Sequence, residues 1–132
     1  MIYQNIFSRI FLMFFITGCI EENSLKNGTK ITELVKNPEY VCFQSPYENE
    51  KIFIEKIYVE TGKKIKKFKY QENGTVLWIY DNKNSLFKGF KLENLYVNRQ
   101  RDNRCQKVDK SSLEKLTLNI DEANHTFFIG DK

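Results

Sequence analysis

Asn73-Gly74-Thr75-Val76-Leu77-Trp78-Ile79-Tyr80 is the stretch on which the fold turns. Asn-Gly is the strongest short-range hairpin signal, because both residues accept a positive φ. The six residues after it are β-branched, aromatic or leucine, the composition of a strand. The segment before it, Lys63 to Tyr70 (KKIKKFKY), is then expected to pair back as a basic strand. In it Phe68 and Tyr70 alternate against Ile65, Lys67 and Lys69, and exposed lysines are a device that protects a sheet edge.

Working outward, Ile52 to Glu60 (IFIEKIYVE) is also β-branched and aromatic. It is expected to be a strand with Phe53, Ile57 and Val59 on one face and Ile52 and Ile54 on the other, turning at Thr61-Gly62. Glu39 to Ser45 (EYVCFQS) is strand-like, with Val41 and Phe43 on one face and Cys42 on the other. Lys30 to Val35 is either a short strand or a helical turn, ended by Asn37-Pro38. Downstream, Asp81 to Asn84 turns the chain into one or two strands over Leu86 to Val97, with a bend at Glu93-Asn94. Leu116 to Ile120 alternates cleanly, and Asp121 to Asn124 turns it into Thr126 to Ile129 as a closing hairpin. Ser111-Ser112-Leu113-Glu114 is a capping-box pattern worth at most one helical turn. About seven short strands, with a turn roughly every ten residues, predict an all-β domain, a small Ig-like antiparallel β-sandwich over residues 29–132.

The start of the chain is a different kind of segment. Arg9 is the only charge before an apolar run from Ile10 to Ile16. A basic start and a short apolar core are the features of a secretory signal peptide. The run is far short of the ~20 apolar residues of a permanent membrane helix. Ile16-Thr17-Gly18-Cys19 resembles the lipobox of bacterial lipoproteins. That resemblance implies removal of residues 1–18, lipidation of Cys19 (palmitate among the acyl chains) and a membrane-anchored chain. Two or three acyl chains anchor stably where one does not. Ile20 in place of Asp after the lipidated position implies the periplasmic face of the outer membrane. Polar residues 19–28 are expected to be a tether.

The chain has 132 residues with a net charge of +4, or +3 once Arg9 is removed, a mild excess that is no nucleic-acid signature. With Cys19 lipidated, Cys42 and Cys105 are the two cysteines left in an oxidising compartment, and a disulfide between them has no rival. His125 is the single histidine and there is no CxxC, so neither a metal site nor a histidine-centred triad is expected. No glycine-rich phosphate loop occurs, and no cofactor is expected. Asp102/Asp109 and Asp121/Glu122 can be drawn as acid–base pairs, but they sit in polar loops where solvated charge is the ordinary role. The Asn-x-Ser/Thr triplets at Asn27, Asn73 and Asn124 are chance matches in a bacterial lipoprotein.

The anchor, the Val41-Cys42-Phe43 strand, Cys105 and the closing hairpin together are similar to small periplasmic lipoproteins that act as type VI secretion immunity proteins. The lysine-rich middle and the long segment from Leu86 to Arg104 depart from that pattern. The resemblance implies a non-enzymatic protein that binds and neutralises a toxin delivered by competing cells. An accessory module of an envelope complex is the alternative, and a cell-wall hydrolase a third reading. Two surfaces are candidates for the partner: the basic segment Lys63, Lys64, Lys66, Lys67 and Lys69, and the loop Arg99, Arg101, Arg104 with Tyr96. A positive field speeds encounter with an acidic surface, and Arg and Tyr are enriched in interface hot spots.

Overall fold

The computed structural model describes residues 25–97 and 104–130. Its elements are α1 (Ile31–Leu34), β1 (Pro38–Gln44), α2 (Glu50–Thr61), β2 (Gly74–Asp81), β3 (Leu86–Glu93), β4 (Tyr96–Val97), β5 (Cys105–Lys107), a 3-10 turn (Lys110–Lys115), β6 (Thr117–Asp121) and β7 (Thr126–Gly130). They form a small β-sandwich. One sheet has the order β3-β2-β1-β5, all antiparallel; the other has the order β4-β7-β6, with β4 parallel to β7.

The alternation of β1 sorts the interior into two cores. Val41 and Phe43 join Leu77, Ile79 and Leu92 against Leu118, Phe127 and Ile129 of the second sheet. The rings of Phe43 and Phe127 lie 6.0 Å apart across this interface. Cys42 faces the other way, with Val76 and Trp78, towards Phe53, Ile57 and Ile65. β2 is therefore buried on both faces along its whole length. That double burial explains why Val76 to Tyr80 lacks the polar alternation of a half-exposed strand.

The layer over the second core corrects the expectation of a strand at Ile52 to Glu60, which is the helix α2. Phe53, Ile57 and Thr61, spaced by four, form its buried face. Asn49 caps the start by accepting the Ile52 N–H, and Gly62 ends it at φ 71°. The β-branched residues were outweighed by the need to cover Cys42, Val76 and Trp78, which no strand hydrogen-bonded to this sheet can do.

Two further expectations fall with it. Thr61-Gly62 is a helix end, and Lys63 to Tyr70 is irregular chain outside any strand. Both edges of β2 are taken, by β1 and β3, so the segment cannot pair with β2 as expected. Asn73-Gly74 is accordingly no hairpin turn. Gly74 opens β2 at φ 112°, where an added Cβ would lie 2.1 Å from the Leu92 carbonyl oxygen. The hairpin lies on the other side of β2, at 82–85. There Asp81 accepts from the Lys83 N–H and the Asn84 amide, and Ser85 takes a positive φ. The β6–β7 hairpin repeats the design with Asp121, Asn124 and His125.

The ends of the domain are also tied. Asn27 to Ile31 runs along the outer edge of β6, with Gly28 N–H on the Leu118 carbonyl and Leu118 N–H on that of Thr29, both at 2.8 Å. Leu25 packs on the first core. The folded region thus begins several residues before Thr29, within the stretch expected to be tether. The expected turn near Ser111 is a 3-10 turn capped by Asp109. The Cys42–Cys105 disulfide joins directly opposed residues of β1 and β5, with Cα atoms 4.0 Å apart. It clamps an edge strand within one sheet, whereas the Ig bridge joins two sheets.

Candidate binding face

The basic segment between α2 and β2 is held by its own side chains. Ile65 is buried, and the ring of Phe68 lies 6.0 Å from that of Phe53. Gln44, fully buried, accepts from Trp78 Nε1 at 2.8 Å and donates to the Lys69 carbonyl at 2.6 Å. The buried Gln71 amide donates to the carbonyls of Asn73, Thr75 and Leu92. With Ile65 and Phe68 turned inward, Lys64, Lys66 and Lys67 are exposed.

The other two lysines of the segment work inside the fold. Lys63 Nζ sits 5.1 Å from the Tyr80 ring, and Lys69 Nζ donates to the Gly89 carbonyl at 3.1 Å, on the edge strand β3. Edge protection by lysine is thus present, but from a loop and onto a neighbouring strand.

Two exposed aromatic residues stand at this loop: Tyr47, in the turn before α2, and Tyr70, which was expected to share a strand face with Phe68. Tyr47 is 67% exposed and Tyr70 is 51% exposed. The Tyr47 N–H donates to the Gln71 carbonyl at 3.0 Å, which ties the 45–49 turn to the loop. Tyr47 holds φ 60°, an uncommon conformation for an aromatic residue. A recess of about 310 Å³ opens beside Tyr70, bordered by Lys91, Glu93 and Asn94. The signal for Tyr47 in the sequence is its turn context alone; Tyr70 parts from Phe68, whose face it was expected to share, because the segment forms no strand and Phe68 packs on Phe53.

The second candidate surface is not assembled in the same way. Arg104 pairs with Glu48, lies 5.6 Å from the Phe53 ring and is 17% exposed in its side chain. Its backbone N–H and that of Cys105 donate to Glu60 at the end of α2. It serves the fold, holding β5 to α2. Tyr96 is exposed, but on β4 of the other sheet. Arg99, Arg101, Asp102 and Cys19 lie outside the described residues.

Of the carboxylates weighed as acid–base pairs, Asp109 and Asp121 are turn caps, Glu122 is exposed and Asp102 lies outside the described residues. Asp109 accepts from the Ser111 backbone and hydroxyl, which holds its carboxyl below the usual range. Asp121 is lowered chiefly by the Asn124 side-chain amide and then by the Asn124 N–H. His125 is an exposed turn residue whose carbonyl accepts from Tyr96 N–H. Among the described residues no group of three or more His, Cys, Asp or Glu is placed to hold a metal ion. No family model, curated protein or solved structure matches the chain.

Proposed function

We propose that this chain is an envelope lipoprotein, anchored through Cys19 at the periplasmic face of the outer membrane, that binds and neutralises a protein toxin delivered by competing cells. The observation that supports a binding role is the anchored loop. Lys64, Lys66 and Lys67 are displayed by a segment whose inward residues are packed or hydrogen-bonded, with Tyr47 and Tyr70 beside them. A surface ordered before contact loses less freedom on binding. Its positive charge steers an acidic partner, and the tyrosines supply rigid contact area. Tethering at the membrane raises the local concentration of binder, and occlusion of the toxin needs no catalysis.

The test is a surface competition between a deletion mutant and its parent, with the parent's secretion system intact or disabled. The deletion mutant should die only beside a secretion-competent parent. Complementation with Lys64→Glu/Lys66→Glu/Lys67→Glu should accumulate the protein yet fail to protect. Equal survival in both mixtures would overturn the immunity reading and favour an accessory envelope module.

A further inference from the structure

Leu25 is already docked on the first core, so residues 20–24 are all that stand between the folded region and Cys19. A stretch of that length spans at most about 20 Å when fully extended. From Leu25 the chain runs onto the edge of the second sheet. The Ile120 N–H donates to Asn27 Oδ1 at 2.9 Å, and Lys30 bridges to Thr117. The tether therefore joins the domain at the rim of that sheet.

The layers stack in the order α2, first sheet, second sheet. The outer face of the second sheet is thus the side opposite α2. Leu118, Phe127 and Ile129 point into the first core, so Thr117, Asn119, Thr126 and Phe128 point outward. Tyr96, aligned with Thr126, shares their side. Phe128 is 44% exposed and Tyr96 41%. Lys30, opposite Thr117 at the rim, is exposed, and the carboxylate of Asp121 on this face is bonded to Asn124. At about 4.8 Å per strand, Phe128 lies about 10 Å from the rim segment and Tyr96 about 15 Å. Sheets pack about 10 Å apart and a helix is about 10 Å thick, so the far side of α2 is about 20 Å from the second sheet. Resting α2 on a bilayer would stretch the tether to its full length. Resting the second sheet there leaves it slack.

We infer that the outer face of the second sheet, with Tyr96, Phe128 and Lys30, rests on the surface of a bilayer that carries anionic phospholipid. The inference rests on the lipid anchor at Cys19 proposed above. Aromatic rings sit at the headgroup level of a membrane, and lysine meets its phosphates. A short flexible tether sets an effective concentration on the order of millimolar, so a contact too weak to hold a free protein is enough. The same orientation turns α2 and the loop with Lys64, Lys66 and Lys67 away from the bilayer, where a partner reaches them.

The experiment is NMR of the complete lipidated chain in nanodiscs of phosphatidylcholine and phosphatidylglycerol, with and without a lipid whose headgroup carries a gadolinium chelate. Flotation of the discs first shows whether the chain is anchored. Paramagnetic relaxation falls with the sixth power of distance, so amides of β4, β6 and β7 should relax at least about tenfold faster than those of α2, about 20 Å farther away. Phe128→Ser/Tyr96→Ser should lower that ratio while the chain stays on the discs, and Lys30→Glu should lower it in the same direction. Both aromatic side chains are exposed, so unchanged amide shifts in the first sheet and α2 separate a lost contact from a lost fold. Equal relaxation on the two sides, faster relaxation of α2, or a ratio that the double variant leaves unchanged overturns the inference with the anchor intact. A chain that does not float with the discs overturns the anchor itself, and the inference with it.

Discussion

Gly89→Ala is a one-carbon test of how the helix-side core is built. Gly89 pairs with Trp78 across β3 and β2. A Cβ at position 89 would lie 2.7, 2.8 and 3.0 Å from Cζ3, Cη2 and Cε3 of the Trp78 ring. Carbon atoms prefer roughly 3.5–4.0 Å, so the ring must retreat by about 1 Å. It has little room, being 2% exposed in a cluster with Cys42, Phe53 and Ile57. Its Nε1 is 2.8 Å from Gln44 Oε1, and a shift of that size breaks the bond and leaves a buried acceptor unpaired. Overpacking costs about 1–3 kcal/mol and the orphaned acceptor about 1–3 kcal/mol. Alanine returns about 0.4–1 kcal/mol by stiffening the unfolded chain, since φ at Gly89 is not in the left-handed region. The net expectation is a loss of about 3 kcal/mol, within a range of roughly 1–5. Urea unfolding followed by far-ultraviolet circular dichroism measures it, and the single tryptophan's fluorescence reports the ring's new environment. In a Trp78→Phe background the distal ring is gone, and the same substitution should be close to neutral. A neutral Gly89→Ala in the wild type, or an equal cost in both backgrounds, would refute the packing argument.

Reduction of Cys42–Cys105, separated by 63 residues, should lower stability by about 4 kcal/mol on the chain-entropy model. Amides of β5 should lose exchange protection before those of β2; a loss below about 1 kcal/mol would contradict the model. Glu60→Ala frees the N–H groups of Arg104 and Cys105 and should cost about 1 kcal/mol in a urea midpoint series, with Glu60→Gln recovering most of it. The Asp121 carboxyl is held below its ordinary value, so its stabilising contribution is present above the unfolded pKa and lost as pH falls through the lower folded one. Asn124→Ala should return the Asp121 titration, followed by carboxyl NMR, towards the usual aspartate range while leaving Asp109 where it is; an unmoved Asp121 would remove Asn124 as the cause.

Much of the sandwich was legible because its signals are local. The opposite facing of Val41 and Phe43 against Cys42 follows from the two-residue period of a strand, and the structure places them in different cores. The β6–β7 hairpin was announced by clean alternation over Leu116 to Ile120, a turn, and the β-prone run Thr126 to Ile129. The lysines of the candidate face were visible by composition, but not which of them would be spent on Tyr80 and Gly89 and which left facing outward. Tyr47 was not legible as a contact residue because the bond that sets its turn against the loop, to the Gln71 carbonyl, is made far along the chain, and Tyr70 leaves the face expected of it because the segment forms no strand.

The sequence by itself determined the β-rich class and the facing of β1, and pointed to Cys42 and Cys105 as the cysteine pair. Those follow from side-chain chemistry and near-neighbour periodicity. Only the tertiary structure decided that Ile52 to Glu60 is helical, that Lys63 to Tyr70 pairs with no strand, and that the disulfide closes within a sheet. β1 and β3 occupy the two edges of β2, and the remaining apolar face of the sheet needs a cover. A helix gives that cover with one residue in four, and no local pattern states which edges distant strands will already have taken.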